Sequence, residues 1–153
     1  MPAILRTLLF LASLFIYALS SVSPSTAQVD ESYFDYMDLF DLQMVANPVI
    51  SPDGNTIIYE RHRFDVMTDS RFTNLWAISF SGENHQPLTS GKSYYGNVTW
   101  SPDGSRIAYT STEEGSNQIF IRWMDTGATA SITNLSESPG SLSWSPDGSM
   151  LLF

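Results

Sequence analysis

Cysteine is absent from the 153 residues, which excludes a disulfide framework, a thiolate metal site, a cysteine nucleophile and a lipid-modified N-terminal cysteine. Histidine is nearly as scarce. Only His62 and His85 are present, in no spacing that puts two imidazoles on one metal. Both are expected in loops or on the surface, and no metal or cofactor is expected. Basic residues are also few, seven Lys and Arg against sixteen Asp and Glu. Arg61, Arg63 and Arg71 are interrupted by Asp65 and Asp69, so no clustered positive face exists to displace counterions from nucleic acid, and a nucleic-acid partner is excluded. The acidic excess serves solubility.

Long hydrophobic runs are missing as well. The longest uncharged apolar stretch covers residues 7–19, about thirteen residues against the ~20 needed to span a bilayer core. Arg6 precedes it and Ser25-Thr26-Ala27 follows it, giving the charged start, apolar middle and small-x-small cleavage site of a secretory signal over 1–27. Cleavage after Ala27 would start the mature protein at Gln28, in a periplasm or extracellular space, with no stable membrane span. Residues 1–27 contain one basic and no acidic residue, so processing makes the chain one charge more negative than its −9.

What is present favours β-structure. Aromatic residues make up 13% of the chain, and large flat side chains suit a pleated surface. A tetrapeptide then recurs three times, as Ser51-Pro52-Asp53-Gly54, Ser101-Pro102-Asp103-Gly104 and Ser145-Pro146-Asp147-Gly148. Each copy lies between two strand-like runs, such as Asn97-Val98-Thr99-Trp100 and Arg106-Ile107-Ala108-Tyr109. It reads as a hairpin turn: Pro pre-sets the first central φ, Asp bonds nearby backbone N–H groups, and Gly accepts the positive φ that closes the turn.

A third run follows in each complete copy, at 75–78 and 119–122, and a weaker fourth at 86–89 and 131–134. Pro87 in the fourth run suits an outer edge strand, where one side makes no ladder bonds. Four strands per repeat make an all-β fold of β-propeller blades, each a four-stranded antiparallel sheet of the TolB-like or WD-like kind. The spacing from Leu75 to Ser101 equals that from Ile119 to Ser145. The difference between the two turn-to-turn periods therefore falls between the second and third strands, where 61–73 is expected to be a longer loop than 111–117.

The expected organisation is a signal peptide at 1–27, a leader at 28–46 with a short helix within 35–45, and a partial propeller at 47–153. Its blades are 47–96, 97–140 and the start of a third at 141–153. Propellers close with roughly four to eight blades, so the ring is incomplete, and 150–153 stop inside an expected strand, as in part of a longer chain. Trp100 and Trp144 before their turns, and Tyr59, Tyr109 and Phe153 on the second strands, are expected to pack between blades.

Residues 39–45 leading into Asn47-Pro48-Val49-Ile50 and the first turn, with Leu75-Trp76, Pro87-Leu88-Thr89 and Trp100 before the second, resemble the N-terminus of prolyl oligopeptidase family serine peptidases. The similarity is to the acylaminoacyl-peptidase and dipeptidyl-peptidase branch; TolB-like periplasmic propellers share the blade repeat but not the leader. The resemblance implies a C-terminal α/β-hydrolase domain with a Ser, Asp and His triad, and a propeller that admits short peptides. No catalytic residue is expected within these 153 positions, since Gly91-Lys92-Ser93-Tyr94-Tyr95 lacks the second Gly of a nucleophile elbow. Glu113-Glu114 resembles the paired Glu with which some dipeptidyl peptidases hold a substrate's α-amino group, and is the one candidate substrate-binding pair; Glu-Glu-Gly is otherwise a solvated turn. The alternative is a non-catalytic envelope propeller that binds proteins. Two sequons, at Asn97 and Asn134, would matter only in a eukaryotic secretory route.

Overall fold

The computed structural model describes Tyr33 and residues 35–153; the expected signal segment and most of 28–34 lie outside the described residues. Among the described residues no helix is long and apolar enough to cross a membrane. Among the described residues the leader forms one short helix, α1 (Asp38–Asp41). The expected helix over 35–45 stops early because Met44 and Val45 already pair with His62 and Arg61 in a sheet. Val45 is β-branched, and Pro48 biases the residue before it away from helical backbone. The first blade thus starts three residues earlier than the repeat suggested.

Blade 1 is an antiparallel sheet of β1 (Met44–Ile50), β2 (Thr56–Asp65), β3 (Ser70–Ser79) and β4 (Gln86–Pro87), in that spatial order. Blade 2 repeats it with β5 (Tyr95–Trp100), β6 (Arg106–Ser111), β7 (Gln118–Trp123) and β8 (Thr129–Ser131). A third pair, β9 (Ser143–Trp144) and β10 (Leu151–Leu152), opens the next repeat. The fourth strands are shorter than expected. Beyond β4 the Leu88 and Thr89 amides both turn back to the Leu75 carbonyl, and beyond β8 the Ile132 amide does the same to Ile119.

The expected loop at 61–73 is strand. The β2–β3 ladder continues unbroken from Thr56 opposite Ser79 to Asp65 opposite Ser70, so the extra length of blade 1 is a protruding hairpin. Its residues are strand formers, Phe64, Phe72 and Thr73 among them. Lys92 clamps the hairpin with an ion pair to Asp65 at 2.5 Å.

The three turns are closed by the same bonds. In each, the Ser hydroxyl donates to the Asp carboxylate two residues on, at 2.5–2.6 Å. The same hydroxyl oxygen accepts the backbone N–H five residues on, at 2.9–3.0 Å. The Asp also accepts the backbone N–H two residues beyond it at 3.1 Å. These donors hold the carboxyls of Asp103 and Asp147 down to about 2, and lower Asp53 in the same way. Gly54, Gly104 and Gly148 have φ of +75°, +70° and +68°. Neighbouring turns also touch, since a Cβ on Gly104 would lie 3.6 Å from Pro52 Cδ and one on Gly148 3.5 Å from Pro102 Cδ.

The core lies between blades. Ile58, Leu75 and Ala77 of blade 1 meet Tyr95, Ile107, Tyr109 and Phe120 of blade 2, and Tyr109 stacks on Phe120 at 5.7 Å. Ala108 and Ile119, on the other face of blade 2, meet Leu142, with Trp144 and Leu151 packed alongside. Of the second-strand aromatic row, only Tyr109 is buried between blades. Tyr59 points to the opposite face of β2 from Ile58, where it is half-buried against His85, and Phe153 is exposed. Neither has a blade against it among the described residues.

Gly104→Val should lower the melting temperature by several degrees, since positive φ costs a residue with a Cβ at least about 1 kcal/mol and a β-branched one more. Thermal unfolding followed by circular dichroism checks it; an unchanged melting temperature would show the turn conformation is not required.

Candidate functional site

Glu113 and Glu114 sit at the β6–β7 hairpin tip of blade 2, both exposed. They are drawn apart. The Tyr95 hydroxyl, from the inner strand β5, lies 2.8 Å from Glu113 Oε2, whereas Ser131, on the outer strand β8, donates to Glu114 Oε2 at 3.0 Å. The two carboxylates thus take their hydrogen bonds from different strands of the blade. Burial, followed by the Glu113 contact, pushes the Tyr95 hydroxyl up to about 12, so it stays a protonated donor. Ser93 lies in the loop before β5, where its carbonyl accepts the Thr73 amide; the loop is a brace for β3.

The densest polar arrangement is one the sequence reading passed over. β2 alternates Ile58, Glu60 and His62 on its buried face, with exposures of 0%, 1% and 3%, so His62 is interior rather than in a loop or on the surface. The signal was the two-residue period of a strand, which puts residues 58, 60 and 62 on one face.

His62 Nδ1 faces the Arg71 guanidinium at 3.0 Å and the Thr73 hydroxyl at 2.7 Å. Arginine can only donate, so Nδ1 is the acceptor and the ring proton is on Nε2. Nε2 lies 3.4 Å from Glu60 Oε2. Burial, with Arg71 adding to it, lowers the imidazole's pKa despite the neighbouring Glu60, and keeps the ring neutral.

Glu60 Oε1 accepts the Asn97 amide at 3.0 Å, so the network runs from the hairpin of blade 1 into the inner strand of blade 2. It ends at a defect in that strand. The register of β5 against β6 slips between Gly96 and Thr99, as that of β1 against β2 does between Ala46 and Val49. Asn97 and Asn47 take φ of +53° and +50° at the two slips, a conformation Asn tolerates better than most residues. Asn97 is tied further by its side-chain amide, which donates to the Gly140 carbonyl at 2.6 Å, and its nitrogen is thereby occupied. A Cβ on Gly96 would fall 2.9 Å from Glu60 Oε1 and 2.5 Å from the Tyr94 hydroxyl, so any larger residue there would have to displace one or both of these side chains. Burial beside Glu60 raises the pKa of Tyr94.

Between the inner strands of the two blades this arrangement leaves a mostly polar cleft of 450 Å³, lined by Asn47, Glu60, Tyr94 and Asn97 with Pro48, Val49 and Val98. It offers one carboxylate, bonded to the Asn97 amide through Oε1 and lying 3.4 Å from His62 Nε2 through Oε2, and carries no nucleophile and base pair. No group of three or more His, Asp or Glu able to hold a metal occurs among the described residues. The network is therefore a seam that positions β5.

Two outcomes test this. Glu60→Ala leaves the Asn97 N–H without its acceptor in a buried seam and should cost about 2–3 kcal/mol in urea unfolding, with Glu60→Gln costing less. Because the folded-state pKa of His62 is lowered, the unfolded chain binds the proton more readily. Stability should thus be full above pH 6.5 and fall as the pH drops below it toward the lowered value. Melting temperatures between pH 7.5 and 5 should show that slope, and His62→Gln should flatten it.

No family model matches the chain. Among curated proteins it is 28% identical over 99 residues to the uncharacterized peptidase YuxL of Bacillus subtilis, 64% of this chain and 15% of that one. It is 33% identical over 78 residues to dipeptidyl-peptidase 5 of Porphyromonas gingivalis, 51% of this chain and 11% of that one. It is also 33% identical over 96 residues to the Tol-Pal system protein TolB of Anaeromyxobacter dehalogenans, 63% of this chain and 20% of that one. The chain thus spans a fifth or less of each relative's length.

Solved structures show the fold. An acylaminoacyl peptidase of Pyrococcus horikoshii matches with a TM-score of 0.61 and 14% identity, over 74% of this chain and 17% of that one. The β-propeller domain of the Trilobed protease from Pyrococcus furiosus matches with a TM-score of 0.54 and 18% identity, over 71% of this chain and 32% of that one. With its blade repeat and these relatives, the chain is a β-propeller segment similar in sequence to the peptidases YuxL and dipeptidyl-peptidase 5 and to TolB.

Proposed function

We propose that this chain is the N-terminal propeller part of an exported serine peptidase of the dipeptidyl, acylaminoacyl or oligopeptidase type. In this reading the propeller limits access to short peptides, and catalysis belongs to an α/β-hydrolase domain encoded beyond residue 153. The carrying observation is the match to two peptidases, YuxL and dipeptidyl-peptidase 5, on blades that themselves offer no nucleophile and base pair. The seam at Glu60 supports it: a propeller that filters substrates has to keep its inner strands in place, and the Glu60–Asn97 bond fastens one of them to the neighbouring blade.

The similarity to TolB favours a second reading, a non-catalytic envelope propeller that binds proteins. Reading the coding sequence beyond codon 153 separates them. A G-x-S-x-G motif followed by Asp and His is expected, and further blades followed by a stop would replace the peptidase reading with the TolB-like one.

Export is tested apart from activity: the N-terminus of the protein recovered from the periplasm or medium should begin at Gln28, and a cytoplasmic product retaining Met1 would refute it. In the full-length enzyme, Glu113→Gln and Glu114→Gln should each leave KM for free-amino peptides within about twofold, since the carboxylates face different strands. A KM rise of tenfold or more, with kcat kept, would restore the pair as an ammonium clamp.

A further inference from the structure

Every Asp-Gly bond in the chain lies in one of the three repeat turns, at 53–54, 103–104 and 147–148, and there is no Asn-Gly. Asp-Gly is among the dipeptides most prone to isomerise, because glycine has no side chain to shield its nitrogen. The Gly nitrogen gives up its proton and attacks Cγ of the aspartate. A C–N bond forms, and the hydroxyl of the protonated carboxyl leaves as water. Water then opens the resulting succinimide. Attack at the main-chain carbonyl breaks its bond to the Gly nitrogen and leaves the chain running through Cβ and Cγ, an isoaspartate. One water is released and one consumed, so no co-reactant is needed.

Asp53, Asp103 and Asp147 are all exposed, so burial does not shield them. The bonds of the folded turn do. The amides of Gly54, Gly104 and Gly148 each donate to the carbonyl of their own turn's serine at 2.9 Å, which ties up the proton that the attack has to remove. Each carboxylate is held on both oxygens: besides the serine hydroxyl and the backbone amide on Oδ1, Oδ2 accepts Asn55 Nδ2 at 2.9 Å, the Ser105 hydroxyl at 2.7 Å and the Ser149 hydroxyl at 2.8 Å in the three turns. So held, the carboxylate is not free to turn its carbon onto the Gly nitrogen. The carboxyls of Asp103 and Asp147 also lie at about 2. Compared with an ordinary aspartate, the protonated form that can lose water is then rarer at neutral pH by roughly two orders of magnitude.

We propose that the three turns are latent isomerisation sites: Asp53, Asp103 and Asp147 form isoaspartate only from opened blades, and the product keeps those blades from closing again. The isoaspartyl linkage adds a methylene to the main chain and moves the free carboxylate onto the α carbon. It can no longer sit between the serine hydroxyl and the amide two residues on. Because Pro52 lies against Gly104 and Pro102 against Gly148, one altered turn disturbs its neighbour as well. Unfolding thus becomes irreversible through chemical modification of the open state. Nothing in this depends on the peptidase reading, because only atoms of the turns take part.

The full-length chain, folded or in urea, is kept at neutral pH and sampled over weeks. Isoaspartate is counted by methyl transfer from an isoaspartate methyltransferase and placed by mass spectrometry. Each turn should isomerise at least about tenfold more slowly in the folded chain than in urea. Ser101→Ala removes the hydroxyl from Asp103 Oδ1 and should raise the rate at Asp103 in the folded chain about tenfold, with Asp53 and Asp147 unchanged as controls in the same molecule. Ser101 is buried, so a second variant guards against misfolding. Ser105 is exposed, and Ser105→Ala, which removes the bond to Oδ2, should raise the rate at Asp103 about threefold without moving the melting temperature. Equal rates in the folded and urea-unfolded chains would overturn the proposal, as would serine variants that leave the rate at Asp103 unmoved. So would a chain carrying isoaspartate at position 103 that refolds from urea as fully as the unmodified one.

Discussion

A sheet with apolar side chains on both faces cannot bury either face by itself, and everything else in this molecule follows from how that is met. Blade 2 carries Ile107, Tyr109 and Phe120 toward blade 1 and Ala108 and Ile119 toward the third repeat. Burial at roughly 25 cal/mol per Å² is the main stabilising term available, and it is realised only when blades stack. The repeat is thus not ornament but the means by which each sheet obtains its neighbour. The same requirement explains why Tyr59 and Tyr109, at matched positions, differ so much in burial: Tyr109 has blade 1 against it, and Tyr59 has no blade against it among the described residues.

Stacking by apolar contact is non-directional, and two directional devices give it a register. At one end, the Ser-Asp turns bring Pro52 against Gly104 and Pro102 against Gly148, while Arg106 reaches from blade 2 over Trp144 at 5.0 Å and donates to the Gly148 carbonyl at 3.1 Å. Elsewhere in the seam, Glu60 of blade 1 holds the Asn97 amide of blade 2 where the ladder slips. A buried carboxylate is costly unless its oxygens are bonded. Here one oxygen takes the Asn97 amide, and the neutral His62, itself bonded to Thr73 and Arg71, lies 3.4 Å from the other.

The turn bonds and the seam act on different links of the chain from sequence to function. The turns are local: their serine, aspartate and following amide lie within five residues, so each copy folds alike wherever it is placed. The seam joins residues 37 positions apart and exists only after two blades have met. The cleft beside it is shaped by Gly96 and by two asparagines in left-handed backbone, so its form is inherited from blade docking rather than from any one strand.

How much was legible in the residues follows the same division. Sequence alone determined the strand pairs, the three turns, the blade architecture and the resemblance to a peptidase family, because each rests on short-range regularities: a tetrapeptide, a period of two, a fixed spacing. Tertiary structure decided what depends on partners distant in sequence. It turned the expected loop at 61–73 into an extended hairpin through cross-strand pairing, and cut the expected helix to Asp38–Asp41 because Met44 and Val45 found β2. It also drew Glu113 and Glu114 to opposite edges of their blade, and moved His62 from an expected exposed position to the buried seam. For the hairpin, the helix and the two glutamates the deciding contact was a hydrogen bond supplied by another strand, which no local pattern encodes, whereas the burial of His62 follows the two-residue period of β2.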